Sequence, residues 1–126
     1  QNVVVMTLVG GEGVAAPQLA KLGTLNNRIA QEITTAVRHL VIHAGLVHGD
    51  LSPYNILVWR DNPHLIDLSQ AVLTTHPEAE RLLKQDIEKM TNFLAERGLD
   101  SGQFGHLGEN LLEFVSTSRD SSGRTL

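Results

Sequence analysis

The chain of 126 residues contains no cysteine, which excludes a disulfide-stapled scaffold and is compatible with a reducing cytoplasm, the expected location. No apolar run approaches the ~20 residues needed to span a bilayer, and no signal-peptide pattern opens the chain, so neither a membrane partner nor secretion is expected. Positive charge is not in excess either: 10 Lys and Arg stand against 14 Asp and Glu, for a net charge of −4. That balance gives no general pull toward nucleic acid, although a local basic patch supplied by other parts of a longer protein leaves RNA contact open. A P-loop is also missing. Gly10-Gly11-Glu12-Gly13 is glycine-rich but lacks the Gly-Lys-Ser/Thr ending that cradles phosphates, and reads as a flexible connector. No internal repeat is visible. What is present, 41% hydrophobic residues over this length, fits one core and not two.

From Thr24 to Ala44 the apolar residues Leu25, Ile29, Ile33, Val37, Leu40, Val41 and Ala44 recur at three- and four-residue steps, the signature of one face of a long helix. Gly45 is its stop. A second helix is expected to open at His76-Pro77-Glu78, with proline in the first turn and acids near the positive end of the dipole. It would run to Arg97 and end at Gly98. Its stripe is Ala79, Leu82, Leu83, Ile87, Met90 and Leu94, and Asp86 lies close enough to that stripe to be partly buried. A buried carboxylate needs partners, so Asp86 reads as a structural residue that holds the lobe or a loop together. Leu107, Leu111, Leu112, Phe114 and Val115 suggest a last short helix, and residues 116–126 read as a polar, fraying tail. The i, i+4 pair His39 and His43 has no third ligand at an obvious position and reads as helix surface, not a metal site.

The chemistry lies between the two helices. His48-Gly49-Asp50-Leu51-Ser52-Pro53-Tyr54-Asn55 is followed by two strand-like runs, Ile56-Leu57-Val58-Trp59 and His64-Leu65-Ile66, flanking Arg60-Asp61-Asn62-Pro63, and then by Asp67. The runs read as a β-hairpin that would return the chain so that Asp67 faces Asn55. Phosphoryl transfer needs a carboxylate to orient the acceptor hydroxyl and oxygen ligands for the metal ions on the β- and γ-phosphates. Asp50 and Asn55 stand five positions apart, the step that separates the catalytic carboxylate from the metal-binding Asn in kinase-like loops, and Asp67 follows at the end of the hairpin as a second metal-binding Asp. The all-oxygen set favours Mg²⁺ or Mn²⁺ over zinc. Singly, Asp and Asn are also ordinary turn residues; the combination carries the reading. His48 reads as a loop anchor, and Ser52 and Ser69 lack the His-Asp arrangement of a nucleophile.

The run His48 to Val58, then Leu65-Ile66-Asp67-Leu68-Ser69-Gln70-Ala71-Val72, then His76-Pro77 and Asp86, closely resembles the C-terminal lobe of RIO-family atypical serine/threonine protein kinases. Ser69-Gln70-Ala71-Val72 discriminates. Upstream, Val3 to Gly10, with Ala16-Pro17-Gln18-Leu19 after it, resembles the last strand of the N-terminal lobe and the hinge, so the resemblance runs from the hinge to about Gly98. It implies an α+β, protein-kinase-like C-terminal lobe, mainly helical, with a short β-hairpin at the catalytic site and an N-terminal hinge strand. The divisions are residues 1–9 (hinge strand), 10–23 (connector), 24–98 (catalytic lobe) and 99–126 (C-terminal helix and flexible tail). By that resemblance Asp50 is the catalytic aspartate, Asn55 and Asp67 bind the metal, Asp67 accepts phosphate transiently in an ATPase cycle, and Met6, Thr7, Leu8 and Val9 contact adenine. ATP is the implied substrate, and a protein or a ribosomal precursor particle the implied partner. Three departures stand out: Thr7 where an acid is frequent, Pro53 where many members have Glu, and Gln85 where Arg is usual.

Only 47 residues precede His48, and none form a glycine-rich phosphate loop or a strand bearing a nucleotide-binding lysine. The chain, opening on Gln1-Asn2, therefore reads as a piece of a longer protein whose N-terminal lobe is absent, inactive alone, with an exposed edge at Val3 to Leu8. Two other readings share its motifs. Small-molecule phosphotransferases of the aminoglycoside or choline kinase type have the His-Gly-Asp-Leu, Asn and Ile-Asp elements but differ after the second Asp, and a noncatalytic kinase-lobe module would keep the scaffold without turnover.

Overall fold

The computed structural model describes residues 10–11, 14–60 and 62–124. The described residues form three α-helices and three small antiparallel strand pairs. Helix α1 (Asn27–Arg38) begins where the Asn26 side chain accepts the Ile29 amide at 3.1 Å, a cap that satisfies one of the four orphan donors of a helix start. Ile29, Ala30, Ile33 and Val37 bury its inner face.

The sequence predicts one regular helix from Thr24 to Ala44; the structure starts it at the Asn26 cap and widens it into a π-turn over His39–His43. There the Ala44 amide reaches back to the His39 carbonyl at 3.0 Å, one residue further than an α-helical bond. The extra residue rotates the stripe: Val41 stays buried, Leu40 is half-buried and Ala44 is exposed. Gly45, at φ 70°, then turns the chain out, as its placement predicts.

Strand β1 (Gly10–Gly11) pairs with β2 (Val14–Ala15), so the segment expected to be a flexible connector is in part an antiparallel ribbon. The chain after it is laid against the site: Pro17 carbonyl accepts from the Val58 amide at 2.9 Å, the Gln18 side chain donates to the Tyr54 carbonyl at 3.1 Å, and Leu19 is fully buried.

Strand β3 (Leu46–Val47) pairs with β6 (Val72–Leu73) in the register Leu46↔Leu73 and Val47↔Val72. Between them run β4 (Ile56–Trp59) and β5 (Asn62–Leu65), the expected hairpin. Its register, Ile56↔Leu65 through Trp59↔Asn62, leaves a two-residue connection in place of the expected four, with Arg60 at φ 53°, the left-handed conformation that tight hairpin turns need. Ile56 and Val58 point into the core.

Helix α2 (Ala79–Glu96) starts two residues later than Pro77, because the Glu78 amide donates to His76 Nδ1 at 2.9 Å and holds residues 76–78 as a turn. Ala79, Leu83, Ile87, Met90 and Leu94 bury one stripe, and Gly98 at φ 74° ends it. Helix α3 (Gly102–Arg124) is far longer than the short helix read around Leu107 to Val115, and it includes most of the segment read as a fraying tail. Phe104, Leu111 and Val115 face the core. Gly108 lets α2 and α3 approach: a Cβ there would lie 2.7 Å from Ile87 Cγ2. Among the described residues no helix is long and apolar enough to cross a membrane.

Candidate active site

The loop after β3 is fixed through three consecutive backbone amides. Gly49 donates to Asp86 Oδ2 at 2.9 Å, Asp50 to His48 Nδ1 at 3.2 Å, and Leu51 to Asp86 Oδ1 at 3.0 Å. Asp86 arrives from the middle of α2 and is only 2% exposed, deeper than its partial burial in the sequence reading. Burial pushes its carboxyl above the ordinary carboxylate range, with the hydrogen bonds from Leu51 and Gly49 opposing the shift. The His48 ring, equally buried, completes the frame with Nε2 2.7 Å from the Ile66 carbonyl. Both of its contacts are met by the Nε2–H tautomer, which donates to Ile66 and accepts from Asp50. Leu51 is buried to 1%. Held on both sides, the backbone turns the Asp50 side chain outward.

Glycine is required at position 49. Its φ is 88°, and a Cβ would stand 2.5 Å from the Gln70 carbonyl oxygen, closer than real atoms come. The loop then closes through a 3₁₀ turn at Pro53–Asn55, begun by Ser52, whose Oγ accepts the Tyr54 amide at 3.2 Å.

Asn55 ties the Asp50 loop to the hairpin. Its side-chain nitrogen donates to the Asp50 carbonyl at 2.7 Å, and its own carbonyl accepts the Ile66 amide at 2.9 Å. The amide nitrogen being engaged with the loop, the side-chain oxygen is the atom with ligand chemistry. Ile66 in turn delivers Asp67, which adopts the left-handed conformation (φ 59°, ψ 66°), uncommon for a residue with a side chain. Ser69 Oγ donates to Asp67 Oδ1 at 2.8 Å. The hairpin thus brings Ile66, the residue before Asp67, back to the Asn55 backbone.

The family model described as the RIO domain covers residues 1–107 of the chain. The chain belongs to the RIO family. Among curated relatives, the RIO-type serine/threonine-protein kinase Rio1 of Haloferax volcanii is 37% identical over 123 residues, covering 98% of this chain and 41% of that protein. Rio1 of Methanocaldococcus jannaschii is 42% identical over 101 residues, covering 79% of this chain and 35% of that one. The chain therefore spans well under half the length of these kinases. A solved structure, the Rio2 kinase-ADP/Mg²⁺-phosphoaspartate complex from Chaetomium thermophilum, superposes with a TM-score of 0.58 at 19% identity, over 86% of this chain and 44% of that chain. At that identity the likeness shows the fold: this RIO chain is built as a kinase-like C-terminal lobe, mostly helical with small sheets, as expected.

Of the site residues predicted for this RIO chain, Asp50, Asn55, Asp67, His48 and Asp86 gather in one place. Met6, Thr7, Leu8 and Val9, with the hinge strand and its edge, lie outside the described residues. His39 and His43 are exposed on the π-turn, their ring centroids 4.8 Å apart. Among the described residues no three or more His, Cys, Asp or Glu side chains form a metal-sized group.

One residue escaped the sequence reading. Lys89 Nζ stands 3.8 Å from Asp50 Oδ1. Its only sequence sign is a place three residues after Asp86 on α2, and nothing in the pattern links it to a loop 39 positions earlier.

Proposed function

We propose that this chain is the C-terminal lobe of a RIO-type serine/threonine kinase or ATPase and supplies the acceptor and metal side of an ATP-dependent phosphoryl-transfer site. The observation that supports the reading is the double engagement of Asn55, whose side chain donates to the Asp50 carbonyl and whose own carbonyl accepts the amide of Ile66, the residue before Asp67. Asp50 is the catalytic aspartate: it orients an acceptor hydroxyl and takes its proton as the acceptor oxygen bonds to the γ-phosphorus. The bond from that phosphorus to the bridging oxygen breaks, and ADP leaves with the electron pair. Asn55 Oδ1 and the Asp67 carboxylate are the protein ligands for Mg²⁺ or Mn²⁺, which when bound would neutralise charge on the phosphates. His48 and Asp86 act on the reaction only by fixing the loop. Met6, Thr7, Leu8 and Val9 are assigned to adenine by family resemblance.

A second outcome uses the same residues. Asp67 is held in a sparsely populated backbone conformation beside Ser69, and strain of this kind concentrates at functional sites. The Rio2 complex of related fold is described as a phosphoaspartate. In an ATPase cycle an Asp67 oxygen attacks the γ-phosphorus, ADP departs, and water hydrolyses the acylphosphate.

Turnover is assigned to the whole protein in the cytoplasm, since a nucleotide is normally buried between two walls and this chain has neither a glycine-rich phosphate loop nor a lysine-bearing strand before the site. Protein or ribosomal precursor substrates are likewise assigned by family. The test is metal-dependent ATP hydrolysis and autophosphorylation by the whole protein, wild type against Asp50→Ala and Asp67→Asn. Loss in both variants is expected. An acid-stable phosphoester marks the kinase and a hydroxylamine-labile label the ATPase, whereas unchanged turnover in both variants would overturn the assignment.

A further inference from the structure

The phosphoryl group in transit carries negative charge on its equatorial oxygens, yet the side chains of the site just described are carboxylates and an amide. Lys89 is the cation that the described residues set beside Asp50, at 3.8 Å. Its position is determined by the same helix that shapes the loop: Asp86, three residues earlier on α2, binds the amides on both sides of Asp50. The two side chains are about half exposed, 51% for Lys89 and 52% for Asp50. An ion pair that open to water adds little to stability, so folding alone gives it little purpose. Its location gives it another, since an acceptor hydroxyl bound to Asp50 would put the phosphorus it attacks within a side chain's reach of the ammonium.

We propose that Lys89 is a catalytic residue of this chain, whose ammonium leaves Asp50 to contact the phosphoryl group during transfer. The inference rests on the phosphotransferase reading above. The bonds are those of that reaction: acceptor oxygen to phosphorus forms, phosphorus to bridging oxygen breaks, the acceptor proton passes to Asp50, and ADP leaves with the electron pair. Lys89 neither takes nor gives a proton; it stabilises charge that is more exposed in the transition state than in bound ATP, and so acts on kcat.

The experiment measures binding by calorimetry in the whole protein, for wild type, Lys89→Met and Lys89→Arg, with Mg²⁺-ADP and with Mg²⁺-ADP plus aluminium fluoride as an analogue of the transferring group. Lys89→Met is expected to weaken the analogue complex about 10-fold, as loss of one charge-assisted contact does, with ADP binding unchanged and Lys89→Arg restoring most of the loss. In turnover the same variant lowers kcat and leaves KM for ATP within about twofold. Equal affinity of wild type and Lys89→Met for the analogue, or equal weakening of both complexes, would overturn the role of Lys89 while leaving the phosphotransferase reading intact. A wild type that binds neither complex would overturn the phosphotransferase reading itself.

Discussion

Replacing Asp86 with alanine tests the account of the loop most directly, because one side chain holds two backbone amides. Truncation leaves the Gly49 and Leu51 donors, now at 2.9 and 3.0 Å from its oxygens, without acceptors in a buried setting. Each unsatisfied buried donor costs roughly 1–3 kcal/mol. Against this stands the relief of burying a carboxylate that burial already pushes toward its neutral form, which reduces the total, so Asp86→Ala is expected to destabilise by about 3 kcal/mol. With urea m-values of about 1–3 kcal/mol/M for small proteins, the unfolding midpoint falls by roughly 1–3 M. Hydrogen exchange should quicken first at Gly49 and Leu51, ahead of amides in α1 such as that of Ile33. Asp86→Asn keeps one acceptor and turns its NH₂ group toward the other donor, so its loss is intermediate, about 1–2 kcal/mol.

The pH dependence follows from the direction of the shift. A carboxyl whose folded pKa is raised binds more protons in the folded state than in the unfolded one between the two pKa values, so wild-type stability from this group falls as pH rises through that window. Asn does not titrate. The deficit of Asp86→Asn is therefore largest in acid and narrows as pH climbs from about 4 through the raised value. An Asp86→Ala midpoint within about 0.5 M of wild type, or unchanged exchange at Gly49 and Leu51, would refute the reasoning.

Gly49→Ala drives a Cβ to 2.5 Å from the Gln70 carbonyl at a φ of 88°, and is expected to cost more than about 3 kcal/mol; a thermal melt within a degree or two of wild type would contradict that geometry. Thr91 Oγ1 is buried without a hydrogen-bond partner, so the near-isosteric Thr91→Val removes an unpaired polar atom and is expected to stabilise by about 1 kcal/mol, read as a higher urea midpoint. A lower midpoint would mean that the hydroxyl has a use.

The helical stripes were legible because burial repeats with the helix: Ile29, Ile33 and Val37 on α1, and Leu83, Ile87, Met90 and Leu94 on α2, are all buried. So was the hairpin that returns Asp67. The π-turn at His39–His43 was not, since a hydrogen bond shifted by one residue leaves no mark in composition. Helix α3 outran its stripe for another reason. Val115 is its last apolar residue, yet the helix continues through Arg124, because an established helix extends at far lower cost than it starts. A reading that follows apolar residues stops where they stop.

The loop itself shows the deeper limit. From the sequence, Asp50, Asn55 and Asp67 could be placed by spacing, because a local loop and a hairpin connect them. What orients Asp50 comes from elsewhere: Asp86 is 36 positions away and binds on both sides of it, the Ile66 carbonyl fixes His48, and the Gln70 carbonyl excludes any side chain at Gly49. These contacts use backbone atoms on one side of nearly every pair, and backbone atoms carry no residue identity for a pattern to reveal. The side chains that do the holding, His48 and Asp86, were visible as polar residues in apolar company, and their burial is what requires partners. Lys89 had no such sign. An exposed lysine on a helix looks like any other until folding brings a carboxylate from another segment to it, so the residue that distinguishes the charge balance of this site is the one the sequence could least announce.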